Sequence, residues 1–181
     1  MVNGFPRWVF YPQSSPPPEW VEPLVKIFQD HRSAIESSVR SRGVALESDD
    51  VLEILRRDLE TQGFAVEKGK QSGGRIYRPV FFGEFGKPGK SYNIDAYHPE
   101  LRVGLEVEAG RGTKGNAVYR YLIQTSLLVD VDFLALAVLV EYKYGAKGIE
   151  YSYNVTKDIL DAIYGSQRLR FPLKGILLVG Y

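Results

Sequence analysis

Asn93-Ile94-Asp95-Ala96-Tyr97-His98-Pro99-Glu100-Leu101-Arg102-Val103-Gly104-Leu105-Glu106-Val107-Glu108 is two runs of alternating character joined by a turn. Successive side chains of a strand point to opposite faces, so the spacing alone sorts these residues into two sets. Ile94 and Ala96 share a face with Val103, Leu105 and Val107; Asn93, Asp95 and Tyr97 share the other with Arg102, Gly104, Glu106 and Glu108. A four-residue turn, His98 to Leu101, pairs Tyr97 with Arg102, Asp95 with Gly104 and Asn93 with Glu106. A one-residue slip would mix apolar and polar sets, which favours this register. Asp95 then lies diagonal to Glu106 with Cα atoms roughly 7–8 Å apart, and Gly104 leaves room between the two carboxylates.

Two carboxylates about 5 Å apart repel by roughly 3 kcal/mol at an effective dielectric near 20, and Glu108, two residues along the strand, adds to that. A hard divalent cation with oxygen ligands relieves the repulsion, which makes Asp95, Glu106 and Glu108 candidate ligands for Mg²⁺, with Mn²⁺ as a substitute. An acidic face that is simply solvated is the alternative. The flanking segments weigh against it. Between Lys68 and Gly83 stand Lys68, Lys70, Arg75 and Arg78 with no acid, and between Ala109 and Arg120 stand Arg111, Lys114 and Arg120, again with no acid. A polyanion held by such arms meets the metal with one of its phosphates. Lys68, Lys70, Arg111, Lys114 and Arg120 are therefore the candidate nucleic-acid contacts, although each run alone also suits a solvated loop. Gln124 lies one turn from Arg120 and can face the same way.

Outward from the hairpin, the pattern predicts an α/β domain with a mixed sheet. Helices are predicted from Glu19 to about Ile35 and from Ser48, a capping residue followed by Asp49 and Asp50, to Gly63. Phe64–Lys68 and Arg75–Phe82 read as strands. Beyond the hairpin, Asn116 caps a helix reaching about Leu128, and the apolar run Phe133–Val140 reads as a strand buried on both faces. Strand, helix and strand in that order imply a right-handed parallel crossover. A last helix, Asn154–Tyr164, and a strand, Gly175–Val179, close the domain. His31 reads as an ordinary helix residue. Residues 1–45, a proline-rich arm and helix, are an extension of the core, 46–181; the arm to Pro18 is expected on the surface or against another subunit.

Composition narrows the class. The 181 residues are 44% hydrophobic, enough for a substantial core, and 23 basic residues nearly cancel 22 acidic ones. A net charge of +1 does not mark a chain coated for nucleic acid, so any electrostatic footprint is local. The absence of cysteine excludes disulfides and Cys-ligated zinc. The N-terminal residues lack the pattern of a signal peptide, and no stretch has the length of a membrane span. A soluble cytoplasmic protein is the expectation.

Ile94-Asp95, ten intervening residues, Glu106-Val107-Glu108, then helix and buried strand resembles the PD-(D/E)xK nuclease superfamily over roughly residues 48–140. The resemblance implies a restriction-endonuclease-like core with Asp95 and Glu106 as Mg²⁺ ligands. The family's usual lysine is here Glu108, and no proline precedes Asp95. Glutamate at the third position resembles a subset of type II restriction endonucleases, and Glu108 then serves as a further ligand or a general base. An additional acid often comes from upstream in the family, and Glu53, Glu60 and Glu67 are candidates. The implied activity is metal-dependent hydrolysis of DNA phosphodiesters, in restriction or defence, with a homodimer as the arrangement that cuts both strands. The alternative is a catalytically inactive nuclease-fold protein that binds DNA or regulates.

Overall fold

The computed structural model describes residues 4–37, 46–69, 73–110, 116–144 and 148–181. In chain order the strands are β1 (Arg7–Tyr11), β2 (Ala65–Val66), β3 (Ile76–Phe82), β4 (Pro88–Ile94), β5 (Ala96–His98), β6 (Val103–Glu108), β7 (Phe133–Val138), β8 (Tyr142–Tyr144), β9 (Gly148–Glu150) and β10 (Gly175–Gly180). The helices are α1 (Val21–Asp30), α2 (Arg32–Ile35), α3 (Ser48–Thr61), α4 (Ala117–Ser126) and α5 (Ser152–Ser166). Six strands form the central sheet in the order β1-β10-β7-β6-β5-β2, and β3-β4 and β8-β9 are separate two-stranded ribbons.

The centre of the sheet follows from the apolar runs. β6, β7 and β10 are parallel to one another, and parallel strands must be covered on both faces. Leu134 through Val138 of β7 and every residue of β10 are buried. On one face Leu105, Val107, Ala135 and Leu177 pack with Leu24, Phe28, Val51, Leu55 and Leu59 from α1 and α3. On the other, Leu134, Leu136, Ile176 and Leu178 pack with Val118 and Leu122 of α4 and Leu160 of α5. The predicted crossover is present: β6 leads through α4 into β7, parallel to it. A mixed sheet between two helical layers, with this hairpin and crossover at its centre, is the α/β arrangement that the sequence predicts.

The structure differs from the sequence reading at several points. Residues 7–11 are not a surface arm: they pair antiparallel with β10 and form an edge of the central sheet. Phe10 is buried with the α1 core while Tyr11 is buried on the opposite face, so alternation places both aromatics inside. The β8-β9 hairpin was not foreseen, because its strands are three residues long. At the start of α3, Glu47 rather than Ser48 is the N-cap, in a reciprocal arrangement with Asp50. The Ser48 hydroxyl instead accepts a bond from the Ala109 N–H at 3.1 Å, tying the helix to the end of β6. Gly63 ends the helix as expected, with φ +96°. Asn116 precedes α4 in a left-handed conformation without a side-chain capping bond. His31 sits between α1 and α2 with Nε2 at 2.8 Å from an Asp58 carboxylate oxygen.

The hairpin register also differs. His98 pairs with Val103, Tyr97 with Gly104 and Ala96 with Leu105, so the turn occupies Pro99 to Arg102, one residue later than expected. Arg102 ends it with φ +55°. His98 belongs to the strand: its Nδ1 accepts from the Leu101 N–H, and its Nε2 lies 3.0 Å from the Gln62 carbonyl. The displacement is one residue on each strand, so every residue of β5 and β6 keeps its predicted face.

Candidate active site

Asp95 occupies the single residue between β4 and β5, where the continuous strand expected for 92–97 breaks in two. β4 leaves to pair with β3, while β5 continues beside β6. At the break the backbone ladder is replaced by a side chain: an Asp95 carboxylate oxygen accepts the Val107 N–H at 2.8 Å. Extended by one step, the observed register sets Asp95 across from Glu106 rather than diagonal to it. Gly104 does not open a gap between the acids. A Cβ there would overlap Ile94 Cδ1, so the glycine admits Ile94, which the break has turned to the Tyr97 face.

Glu106 is buried, only 5% exposed, and Asp95 is half-buried. Burial, partly offset by the Val107 hydrogen bond and reinforced by the charges of Glu67, Asp49 and Glu108, raises the Asp95 carboxyl to a pKa of about 7. Glu106 is raised well above the usual carboxylate range, first by burial and then by Asp95, with Arg120 pulling the other way and Glu67 and Glu108 adding to the rise. Carboxyls raised in this way cannot both ionise at neutral pH without added positive charge beside them.

The other predicted residues divide. Glu108 lies within electrostatic reach of both acids, but its oxygens accept bonds from the Gly110 N–H at 2.7 Å and the Tyr121 hydroxyl at 3.1 Å. Among the described residues no three His, Asp or Glu side chains converge as a formed metal cage, so the expected meeting of three acids at one point is not seen. Glu67 is buried, next to β2, and its charge acts on both Asp95 and Glu106. Its N–H donates to the Asp95 carbonyl at 2.8 Å, which fixes the backbone of one acid to the other.

Glu53 and Lys68 line an open cleft of about 450 Å³ with Asp49, Leu52, Arg56, Glu67 and Gly69. Glu53 is 70% exposed and bonded to Arg56 at 2.7 Å, while Arg56 also donates to the Val66 and Glu67 carbonyls. Glu60 is exposed near the other end of α3, roughly 16 Å along the axis from Asp49, and does not join the cluster. Arg120 is exposed on α4 with its charge acting on Glu106; Gln124 is half-buried. Lys70, Arg111 and Lys114 lie outside the described residues. Arg78 stacks on the Tyr97 ring and forms an ion pair with Asp130, so it serves the base of the β3-β4 ribbon. A larger cleft of about 630 Å³, lined by Tyr11, Asp161 and Tyr164 among others, contains none of these acids.

Two residues of the cluster were missed. Asp49 reads in sequence as a favourable charge at a helix start; only the placement of α3 beside the end of β6 brings it to Asp95. Tyr121 is one helical position after Arg120, and helical spacing could have indicated it: its buried hydroxyl reaches Glu108 and feels Glu106 and Asp95.

No family model matches the chain, and no curated protein matches it. Among solved structures, the chain is similar to free BglII, a type II restriction endonuclease, at 12% identity and a TM-score of 0.44, over 97% of this chain and 78% of that one. No helix among the described residues is long and apolar enough to cross a membrane.

Proposed function

We propose that this protein is a metal-dependent endonuclease that hydrolyses phosphodiester bonds in DNA. The observation that carries the reading is the Asp95–Glu106 pair, one half-buried and the other buried, set side by side where the sheet splits and with both carboxyls raised by burial and by neighbouring acids. The donor set suits Mg²⁺ or Mn²⁺, because it is all oxygen and Mg²⁺ is commonly held by one or two carboxylates, with water and substrate phosphate completing its shell. A bound cation would polarise the scissile phosphate and lower the pKa of an attacking water.

Asp95 and Glu106 are the ligands in this reading, and the Val107 N–H holds the Asp95 carboxylate in place. Glu108, oriented by Tyr121 and Gly110, orients the attacking water and accepts its proton. Glu67 supplies the additional upstream acid, preferred over Glu53 and Glu60 because its charge reaches both ligands. Arg120, opposite Glu106, offsets charge that builds on the phosphate. Lys68 contacts the backbone from the cleft edge, and Lys70, Arg111 and Lys114 are proposed for the same task from their sequence position. Such contacts place the substrate without reading its bases.

Supercoiled plasmid incubated with the purified protein and Mg²⁺ or Mn²⁺, with and without chelator, tests the reading beside Asp95→Asn and Glu106→Gln. Metal-dependent nicking or linearisation by the wild type, reduced at least about a thousandfold in both variants, is the expected result; that loss corresponds to roughly 4 kcal/mol of barrier. Binding of plasmid without cleavage by all three would instead favour an inactive DNA-binding protein.

A further inference from the structure

The β3-β4 ribbon leaves the domain at Asp95 and ends in Phe81-Phe82-Gly83-Glu84-Phe85-Gly86-Lys87-Pro88-Gly89-Lys90, ten residues that are all exposed. Three phenylalanines stand among them: Phe81 is 53%, Phe82 58% and Phe85 93% exposed. Soluble domains do not usually hold clustered aromatics in water without a partner for them. The backbone does not bury them either. Phe85 has φ +56° and ψ +23° inside the turn, a left-handed conformation that is costly for a bulky residue. Phe81 lies across the ribbon over Gly89, where any Cβ would collide with its ring. Two irregularities in register, after Pro79 and after Phe81, re-aim the side chains at the tip.

Charge decides between occupants. Around the aromatics the tip carries Lys87 and Lys90 against the lone acid Glu84, and Lys90 Nζ rests 5.2 Å from the centre of the Tyr92 ring. A purely apolar partner surface gains nothing from exposed lysines beside the phenylalanines. A polyanion with flat apolar faces between its charges gains from both. The strand that carries Lys90, and that Lys87 immediately precedes, ends at Ile94 and leads directly into Asp95, so whatever the tip grips is connected by one strand to the acid pair.

We propose that the β3-β4 ribbon is a DNA-gripping arm: Phe85 wedges against a base step, with Phe82 supporting it, and Lys87 and Lys90 contact the phosphates on either side. This rests on the reading of Asp95 and Glu106 as a phosphodiester-cleaving site only in taking DNA as the polyanion. Two-stranded ribbons fit a DNA groove, and apolar side chains inserted at a base step unstack it while basic residues neutralise the backbone. The arm would hold the duplex at one end of β4 while the acid pair meets the backbone at the other.

The full-length protein in chelator, where cleavage is absent, is titrated into a labelled DNA duplex of about 30 bp carrying 2-aminopurine. The titration is repeated with Phe85→Ala and with Lys87→Ala/Lys90→Ala. Phe85→Ala is expected to raise Kd about tenfold and to abolish the 2-aminopurine brightening seen with the wild type. The double lysine variant is expected to reduce the slope of log affinity against log salt by about 2, one phosphate for each lysine. Unchanged affinity, salt slope and 2-aminopurine signal in the variants would overturn the proposal, as would a wild type that does not bind duplex. Light scattering that shows a wild-type dimer and a Phe85→Ala monomer would overturn it too, by assigning the tip to a second copy. Plasmid cleavage separates the two readings. Ribbon-dependent binding by a protein that never cuts keeps the arm and removes the nuclease, whereas normal cutting by ribbon variants with unchanged binding keeps the nuclease and removes the arm.

Discussion

The ribbon tip, residues 81–90, and the hairpin, residues 94–108, are neighbours in the chain, and each places side chains where they are costly, in opposite senses. The tip holds three phenylalanines in water. The hairpin holds one carboxylate out of it and a second half-buried beside it. A protein interior penalises an unpaired charge, and water penalises an exposed aromatic cluster; on the two proposals above, a cation would relieve the first and a stack of bases the second. The two regions also differ in what supports them. Around Asp95, strand pairing, the Val107 N–H and packing from both helical layers leave little freedom, whereas the tip is supported by its own two strands alone.

That contrast can be broken first in the core. Leu105, fully buried beneath α3, supports the strand that carries Glu106. Leu105→Ala should cost about 2–5 kcal/mol in chemical denaturation, and a loss under 1 kcal/mol would show that the hairpin is far less tightly packed than it looks. The next effect is electrostatic. In the metal-free protein Asp95 stays protonated when folded up to a pKa of about 7, but in the unfolded chain it ionises near 3.8. Between those values the folded state binds the extra proton, so the Asp95 contribution to stability falls as pH rises from about 4 to about 7 and is constant above, and the raised Glu106 carboxyl adds a loss of the same sign. The contribution of Asp95 is at most about 4 kcal/mol. Saturating Mg²⁺ at pH 8 should restore part of it, about 2.7 kcal/mol at one hundred times Kd, and Asp95→Asn should remove the Asp95 share of the dependence while leaving the share that burial of Glu106 contributes. Urea titrations across pH check both; stability that climbs through the window in the wild type, or no response to metal, would contradict the charged-pair description. The smallest effect belongs to the tip. Phe85→Ala, which removes a side chain already in water, should change stability by no more than about 0.5 kcal/mol, and a larger loss would mean the ring packs against the protein in solution.

Much of this was readable from residue order. The alternation in 93–108 assigns Ala96, Leu105 and Val107 to one side and Tyr97, Glu106 and Glu108 to the other, and those sides hold because the turn shifted both strands by one residue together. The apolar run after Asn116 announced a doubly covered strand, and β7 is one. Other features had no local signature. The β1 strand looks in sequence like a proline-flanked arm, and its place at the sheet edge depends on β10, nearly 170 residues away. Asp49 is an unremarkable acid until α3 sets it beside Asp95, and Glu67 stands apart from the other candidates Glu53 and Glu60 only once its place next to β2 brings its charge to Asp95 and Glu106.

Periodicity, a property of the chain, thus determined which side chains share a face and that Asp95 and Glu106 belong together. It could not determine that β4 would leave the sheet at Asp95, because both pairings satisfy the same alternation. Only long-range contacts decide between them: β3 offers β4 a partner outside the sheet, and Ile94 fits over Gly104 once the chain has turned. The break sets Asp95 beside the buried Glu106, frees the ribbon, and leaves Glu108 held by Tyr121 and Gly110.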